Sequence, residues 1–259
     1  MTRLVADALT LAYGERTIST GLDLAVPDRA FTAIVGANAC GKSTLLRALV
    51  RLLAPASGRV VLDGRDLATL RAKAVARELG FLPQGLVPVE GIRVAQLVRR
   101  GRYPHQSLLG TWTEADEAAV DRAMAAAGVT GLATRTVEEL SGGQAQRVWI
   151  AMVLAQESSY LLLDEPTTFL DVAHQYELLG LLARLRDEGR TIVTVLHDLN
   201  QACRYADHLV AMKDGRIVAQ GAPAEIMDAA LVEHVFGLPC VVVPDPVAGT
   251  PMVVPTAGY

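Results

Sequence analysis

The stretch FTAIVGANACGKST (Phe31–Thr44) decides the reading of this chain. FTAIV reads as a buried strand, GANACGKS fits G-x-x-x-x-G-K-[ST], and helical spacing begins near Ser43. A strand that feeds a glycine-rich turn and then a helix lets backbone N–H groups converge on the α/β-phosphates of a nucleotide, helped by the partial positive charge of the helix N-terminus. Lys42 can then reach the β/γ-phosphates, and the Ser43 hydroxyl can ligate Mg²⁺. The bland alternative is a turn that binds nothing, with Lys42 on the surface; strand, spacing, lysine and hydroxyl together speak against it. Cys40 lies inside the loop and reads as a small residue at a variable position rather than as a redox centre.

Composition sets the wider frame. The 259 residues are 51% hydrophobic and 20% charged, enough for a sizeable core in one large domain or two small ones. A net charge of -4 gives no sequence-wide reason to bind a polyanion, so no nucleic-acid partner is expected. Cys40, Cys203 and Cys240 are widely spaced with no metal-ligand pattern, which favours a reducing compartment over a disulfide framework. The opening MTRLVADALT has no signal-peptide core, and no uncharged apolar run approaches the ~18 residues of a membrane span. The expectation is a cytosolic chain, free to dock on a separate membrane protein.

Outward from the loop, residues 2–35 alternate in short runs broken by Gly14, Gly21 and Pro27 and read as strands. Thr44–Leu53 reads as a helix that stops before Ala54-Pro55, and RVVLDGRDL resumes strand character around Asp63-Gly64. From about Gln84 to Glu139 the pattern is helical and alanine-rich, broken at GRYPHQS. A helix from Ser141 to about Ala155, a strand at 160–163, a helix from about Val172 to Asp187 and a strand at 191–196 follow. That alternation predicts a parallel α/β core with a helical insertion, and residues 238–254 read as a small hairpin.

Further residues fall where such a core places chemistry. In YLLLDEP the strand ends in Asp164 and Glu165, whose side chains strand alternation aims differently. Asp164 suits a metal through its water shell, and Glu165 suits orienting and deprotonating an attacking water. His197 directly follows the strand TIVTVL, and ligands of open α/β sheets sit at the carboxyl ends of strands. In ELSGGQAQR (Glu139–Arg147), Ser141 and the N–H groups of Gly142 and Gly143 open a second helix able to cover a γ-phosphate.

LSGGQAQR, placed after GANACGKST and before LLLDEP, resembles the signature sequence of ATP-binding cassette (ABC) ATPases. The resemblance covers nearly the whole chain. It implies an α/β P-loop NTPase of ABC type: a core with an N-terminal antiparallel β subdomain (about 1–84 and 160–221), an inserted α-helical subdomain carrying the signature (about 85–159), and a C-terminal helix and hairpin tail (about 222–259). By position it implies that Tyr13 stacks on adenine, that Gly36, Asn38, Ala39, Cys40, Gly41, Lys42, Ser43 and Thr44 hold ATP, and that Glu165, His197 and Gln84 are catalytic. Ser43, Gln84 and Asp164 would serve Mg²⁺. Ser141, Gly142, Gly143, Gln144 and Asp171 would close over ATP held by a second copy, in a head-to-tail sandwich. Ala37 and Ala39 depart from the family's frequent Pro and Gly; if position 39 demands φ > 0, alanine costs about 1 kcal/mol there.

GRYPHQS (Gly101–Ser107), DEPTTFLDVAHQ, HDLNQACRYADH and the tail resemble the iron(III)-siderophore importers, whose relatives carry haem or cobalamin. The resemblance thus implies an ATPase subunit of a bacterial importer, peripheral on the cytoplasmic face of the membrane. Its partners would be integral membrane permease subunits and, indirectly, an extracytoplasmic substrate-binding protein. The rival is a soluble ATPase acting on DNA or ribosomes; acidic charge and the short insertion between Gln84 and Ser141 favour the importer.

Overall fold

The computed structural model describes residues 3–85, 90–106 and 111–256; the Ser107 end of GRYPHQS lies outside them. Strands β1 (Leu4–Tyr13) and β2 (Arg16–Val26) form an antiparallel hairpin, with Leu4 opposite Val26 and Tyr13 opposite Arg16. The inward residues of β1 change parity between Ala6 and Leu9 because a bulge at Ala8 (φ 48°) inserts an extra residue. Strand β3 (Phe31–Gly36) leads into helix α1 (Lys42–Leu49), and β4 (Ser57–Leu62) and β5 (Arg65–Asp66) complete a four-stranded sheet in the order β2-β1-β4-β5.

Helix α2 (Ala72–Glu78) runs straight into strand β6 (Leu79–Leu82). The insertion then carries α3 (Val94–Arg99), a 3-10 segment (Arg100–His105), α4 (Glu114–Ala126) and α5 (Gly142–Ala155). Strand β7 (Tyr160–Asp164), helix α6 (Val172–Asp187), strand β8 (Thr191–Val195), helix α7 (Leu199–Tyr205) and strands β9 (His208–Lys213) and β10 (Arg216–Gly221) return to the core. The chain continues through α8 (Pro223–Ile226), α9 (Ala229–Phe236) and the hairpin β11 (Cys240–Pro244) and β12 (Pro251–Pro255).

The central six-stranded sheet has the order β10-β9-β3-β8-β7-β6, parallel throughout except for the antiparallel edge strand β10. Both of its faces are covered, so β3, β7 and β8 are buried along their whole length. Strand alternation divides the core accordingly. Phe31, Ala33 and Val35 face the cluster that includes the insertion helices and α6, whereas Ile34 joins Leu45, Leu46 and the inner face of the antiparallel sheet.

The structure departs from the sequence reading in particular places. The first helix ends at Leu49 rather than Leu53, because Arg51 turns the chain with φ 62°. The segment 72–82, which the sequence reading leaves without an assignment, holds α2 and β6; LGFL is a strand because Leu79–Leu82 pair with Tyr160–Leu163. The tail hairpin is anchored on α7: Val253 N–H donates to Asn200 Oδ1 at 2.7 Å, and Asn200 Nδ2 donates back to the Val253 carbonyl at 3.3 Å.

Candidate functional site

The strand order places the carboxyl ends of β3, β8, β7 and β6 side by side on one edge of the central sheet. From β3 the chain turns sharply at Gly36 (φ 154°), where a Cβ would come within 2.2 Å of the Met212 carbonyl and 2.8 Å of Cys40 Sγ. Ala39 does adopt φ 63°, so the alanine strain anticipated for that position is present. Gly41 (φ 103°) then starts α1. Lys42 is 5% exposed, and its ammonium donates to the carbonyls of Gly36 at 2.8 Å and Ala37 at 2.9 Å, which keeps the charge at the loop. Burial pushes the Cys40 thiol up from its ordinary pKa, the larger effect against a stabilising Lys42, which disfavours the reactive thiolate.

Ser43 Oγ donates to Asp164 Oδ1 at 2.8 Å, tying the start of α1 to the end of β7. Asp164 is fully buried. Burial raises its pKa, the Ser43 hydrogen bond works against that, and the neighbouring Glu165 charge adds to the rise. Among the described residues its Oδ2 has no hydrogen-bond partner.

Glu165 sits one residue past the strand with φ 53°, a strained conformation for a side chain of this size. Its carboxylate is gripped from both flanks: Gln84 Nε2 donates to Oε2 at 2.6 Å, and His197 Nε2 lies 2.6 Å from Oε1. Thr168 Oγ1 adds a longer contact of 3.4 Å to Oε2. Gln84 follows β6 and His197 follows β8, the two strands that flank β7, so sheet order alone brings this trio together.

These groups open onto a cleft of about 500 Å³ lined by Asn38–Thr44, Gln84, Glu165 and His197, together with Arg16 and Ile18. Gly36 and Asp164 are outside this lining but accept hydrogen bonds from two residues in it, Lys42 and Ser43. Tyr13 is exposed and outside the lining, directly opposite Arg16 in the hairpin, with its hydroxyl accepting from Arg47 at 3.4 Å. Arg16 and Ile18 were missed by sequence reasoning. They belong to the other sheet, and the only local signal was the turn that pairs Arg16 with Tyr13.

Ser141, Gly142, Gly143, Gln144 and Asp171 do not line this cleft. Ser141 and Gln144 cap α5 reciprocally, with Gln144 N–H donating to Ser141 Oγ at 3.3 Å and Ser141 N–H to Gln144 Oε1 at 3.2 Å. Asp171 caps α6, accepting from His174 N–H at 2.9 Å, and this bond and the His174 side chain hold its carboxyl below the usual range. Gly142 and Gly143 face Phe169 and Leu170.

The donor set suits a small hard cation. Asp164 offers a buried, unpartnered carboxylate oxygen, Ser43 a hydroxyl, and Gln84 an amide oxygen left over after its N–H bonds Glu165. No group of three or more His, Cys, Asp or Glu that could hold a metal occurs among the described residues, so phosphate and water would supply the rest of such an ion's shell.

A profile of the family described as ABC transporter matches residues 19–168. The ferric enterobactin transport ATP-binding protein FepC of Escherichia coli (strain K12) is 56% identical over 254 residues, covering 98% of this chain and 94% of the relative. Among solved structures, a metal-chelate type ABC transporter in an inward-facing conformation superposes with a TM-score of 0.84 at 27% identity, covering 99% of this chain and 98% of that one. A dimeric bacterial ABC transporter cassette superposes with a TM-score of 0.77 at 26% identity, covering 85% and 98%. No helix among the described residues is long and apolar enough to cross a membrane. With a glycine-rich loop, a carboxylate pair and a histidine on adjacent strand ends, and with this degree of likeness, the chain belongs to the ABC transporter family as an ATP-binding, ATP-hydrolysing subunit.

Proposed function

We propose that this chain powers an importer of ferric-siderophore complexes, acting as a pair of copies on the cytoplasmic side of membrane permease subunits that receive cargo from an extracytoplasmic binding protein. The observation that carries the catalytic part is the clamp on Glu165 by Gln84 and His197 beside the Lys42 loop. In this reading the loop N–H groups and Lys42 hold the triphosphate, and Tyr13 at the rim packs on the base. Ser43, Asp164 and Gln84 would hold Mg²⁺, which when bound would offset the charge of the β- and γ-phosphates. Glu165 orients a water and takes its proton as the water oxygen attacks the γ-phosphorus and the bond to the β-phosphate oxygen breaks. His197, on the opposite carboxylate oxygen from Gln84, fixes the direction in which Glu165 points.

The signature residues lie outside the chain's own cleft, which supports a partner copy whose Ser141, Gly142, Gly143, Gln144 and Asp171 complete the γ-phosphate side. That a cassette of like fold is dimeric supports a pair of copies. Ferric-siderophore cargo rests on the enterobactin relative, whose likeness runs nearly end to end.

The test has two arms. Glu165→Gln should retain ATP binding and slow hydrolysis by ~10²-fold or more, about 3 kcal/mol of barrier. Near-normal turnover removes Glu165 from the mechanism. Cells lacking this subunit should lose growth on ferric siderophores as sole iron source and regain it with the parent gene but not with the Glu165→Gln gene; unimpaired growth removes the cargo.

A further inference from the structure

The loop between Glu165 and α6 is itself held in place, and the groups that hold it lead back to His197. Phe169 in this loop has φ 67°, as Glu165 has φ 53°, so the segment is strained at both of these positions and needs outside restraint to keep its shape. At its near end, buried Gln146 of α5 donates from Nε2 to the Pro166 carbonyl at 3.0 Å. At its far end, Gln175 Nε2 donates to the Leu170 carbonyl at 3.1 Å. The other atom of the Gln175 amide, Oε1, accepts from Gln201 Nε2 at 2.8 Å. Gln201 is 4% exposed and sits in the first turn of α7, where its backbone N–H donates to the Asp198 cap at 2.9 Å. Asp198 is the covalent neighbour of His197, whose Nε2 returns to Glu165 at 2.6 Å.

Covalent bonds, hydrogen bonds and the short His197–Glu165 contact therefore close a ring: Glu165, the loop to Leu170, Gln175, Gln201, Asp198, His197, and back to Glu165. We propose that Gln175 and Gln201 are positioning residues for ATP hydrolysis, which lock the loop 166–170 to the His197 strand end so that the Glu165 carboxylate and the Asp171 end of the loop move as one unit. Neither side chain lines the cleft, so neither is a catalytic residue. Gln175 uses its amide donor and acceptor at once and Gln201 supplies an amide donor to it, a geometry that Met or Leu of similar volume cannot reproduce.

The inference rests on the ATPase assignment above, and the experiment separates the two. Steady-state ATPase activity and thermal midpoints are measured for the full-length parent, Glu165→Gln, Gln175→Met, Gln201→Met and the double Met variant. One broken link opens the ring, so each single variant should lose about 5- to 20-fold in kcat, the loss expected for one hydrogen bond with its orphaned partner, with KM for ATP within about twofold of the parent. The double variant should lose no more than either single one, since the ring is already open. A merely structural role would lower the thermal midpoint and leave kcat intact well below it. Parent-like kcat in the single variants, a KM that rises with the loss, or single losses that multiply in the double variant each overturns the proposal. Should Gln201→Met not fold, half-buried Gln175→Met alone decides by its kcat and KM. If Glu165→Gln is as active as the parent, the catalytic assignment itself has failed; if it is inactive while the Met variants are parent-like, only the ring is refuted.

Discussion

Replacing Arg102 by Met should cost this protein a large part of its stability. Arg102 belongs to GRYPH, the segment whose sequence resembles the siderophore importers, yet its side chain is 6% exposed and directed into the protein. Its Nε donates to Asp116 Oδ1 at 2.9 Å, and its Nη1 donates to the Ala155 carbonyl at 2.9 Å and to Glu157 at 2.7 Å. Next to it, a Cβ on Gly101 would lie 2.1 Å from the Met152 carbonyl, so the 3-10 segment approaches α5 closely enough to need glycine. Glu157 keeps Arg122 at 3.0 Å and is partly exposed, so it loses little. Asp116, 7% exposed, is left as an unpaired buried charge, which costs about 3–5 kcal/mol. For a chain of this size that is a fall of about 6–20 °C in the thermal midpoint, readable by calorimetry or urea titration. The hydroxyl of Thr113 and then the guanidinium of Arg102 hold the Asp116 carboxyl below its ordinary pKa. Their contribution is therefore present above the unfolded carboxylate value and is lost as pH falls through the depressed folded value, so the gap between parent and variant should narrow in acid. The double change Arg102→Met with Asp116→Asn removes the stranded charge while keeping an acceptor for the α4 cap, and should recover most of the loss. A single-variant loss below about 1 kcal/mol, or a double variant no more stable than the single one, would refute the reasoning.

Other outcomes follow from the same geometry. Ser141→Arg should leave nucleotide affinity of the isolated monomer nearly intact and abolish ATP-driven dimerisation in light scattering; collapse of monomer affinity would mean that the signature serves its own chain. Gly36→Ala should reduce ATP binding by ~10-fold or more in calorimetric titration, since its Cβ would press within 2.2 Å of the Met212 carbonyl at a φ closed to alanine. Cys40 should react with iodoacetamide at pH 7 far more slowly than an unhindered thiol, followed by mass spectrometry, because burial both shields it and raises its pKa.

Where chemistry depends on neighbours along the chain, the sequence sufficed. The strand FTAIV, the turn at Gly36 and the helix from Lys42 are consecutive, and their residue types state the backbone geometry together. The capping pair Ser141 and Gln144 and the DE pair at the end of β7 are local in the same sense. Gln84 was placed only by family register, because no pattern in LGFLPQ announces that this short stretch pairs beside β7, about eighty residues later.

What the sequence by itself determined is therefore the α/β class, the strand–turn–helix at Gly36 and the carboxylate pair, all encoded at short range by hydrophobic period and turn chemistry. Only the tertiary structure decided that Gln84 and His197 grip Glu165 from opposite sides, that Arg16 and Ile18 of the other sheet wall the cleft, and that the signature stands away from its own chain's cleft. Those facts depend on strand order in a sheet whose neighbours are distant in sequence. Burial of apolar faces on both sides of that sheet selects the order, and no single segment carries it.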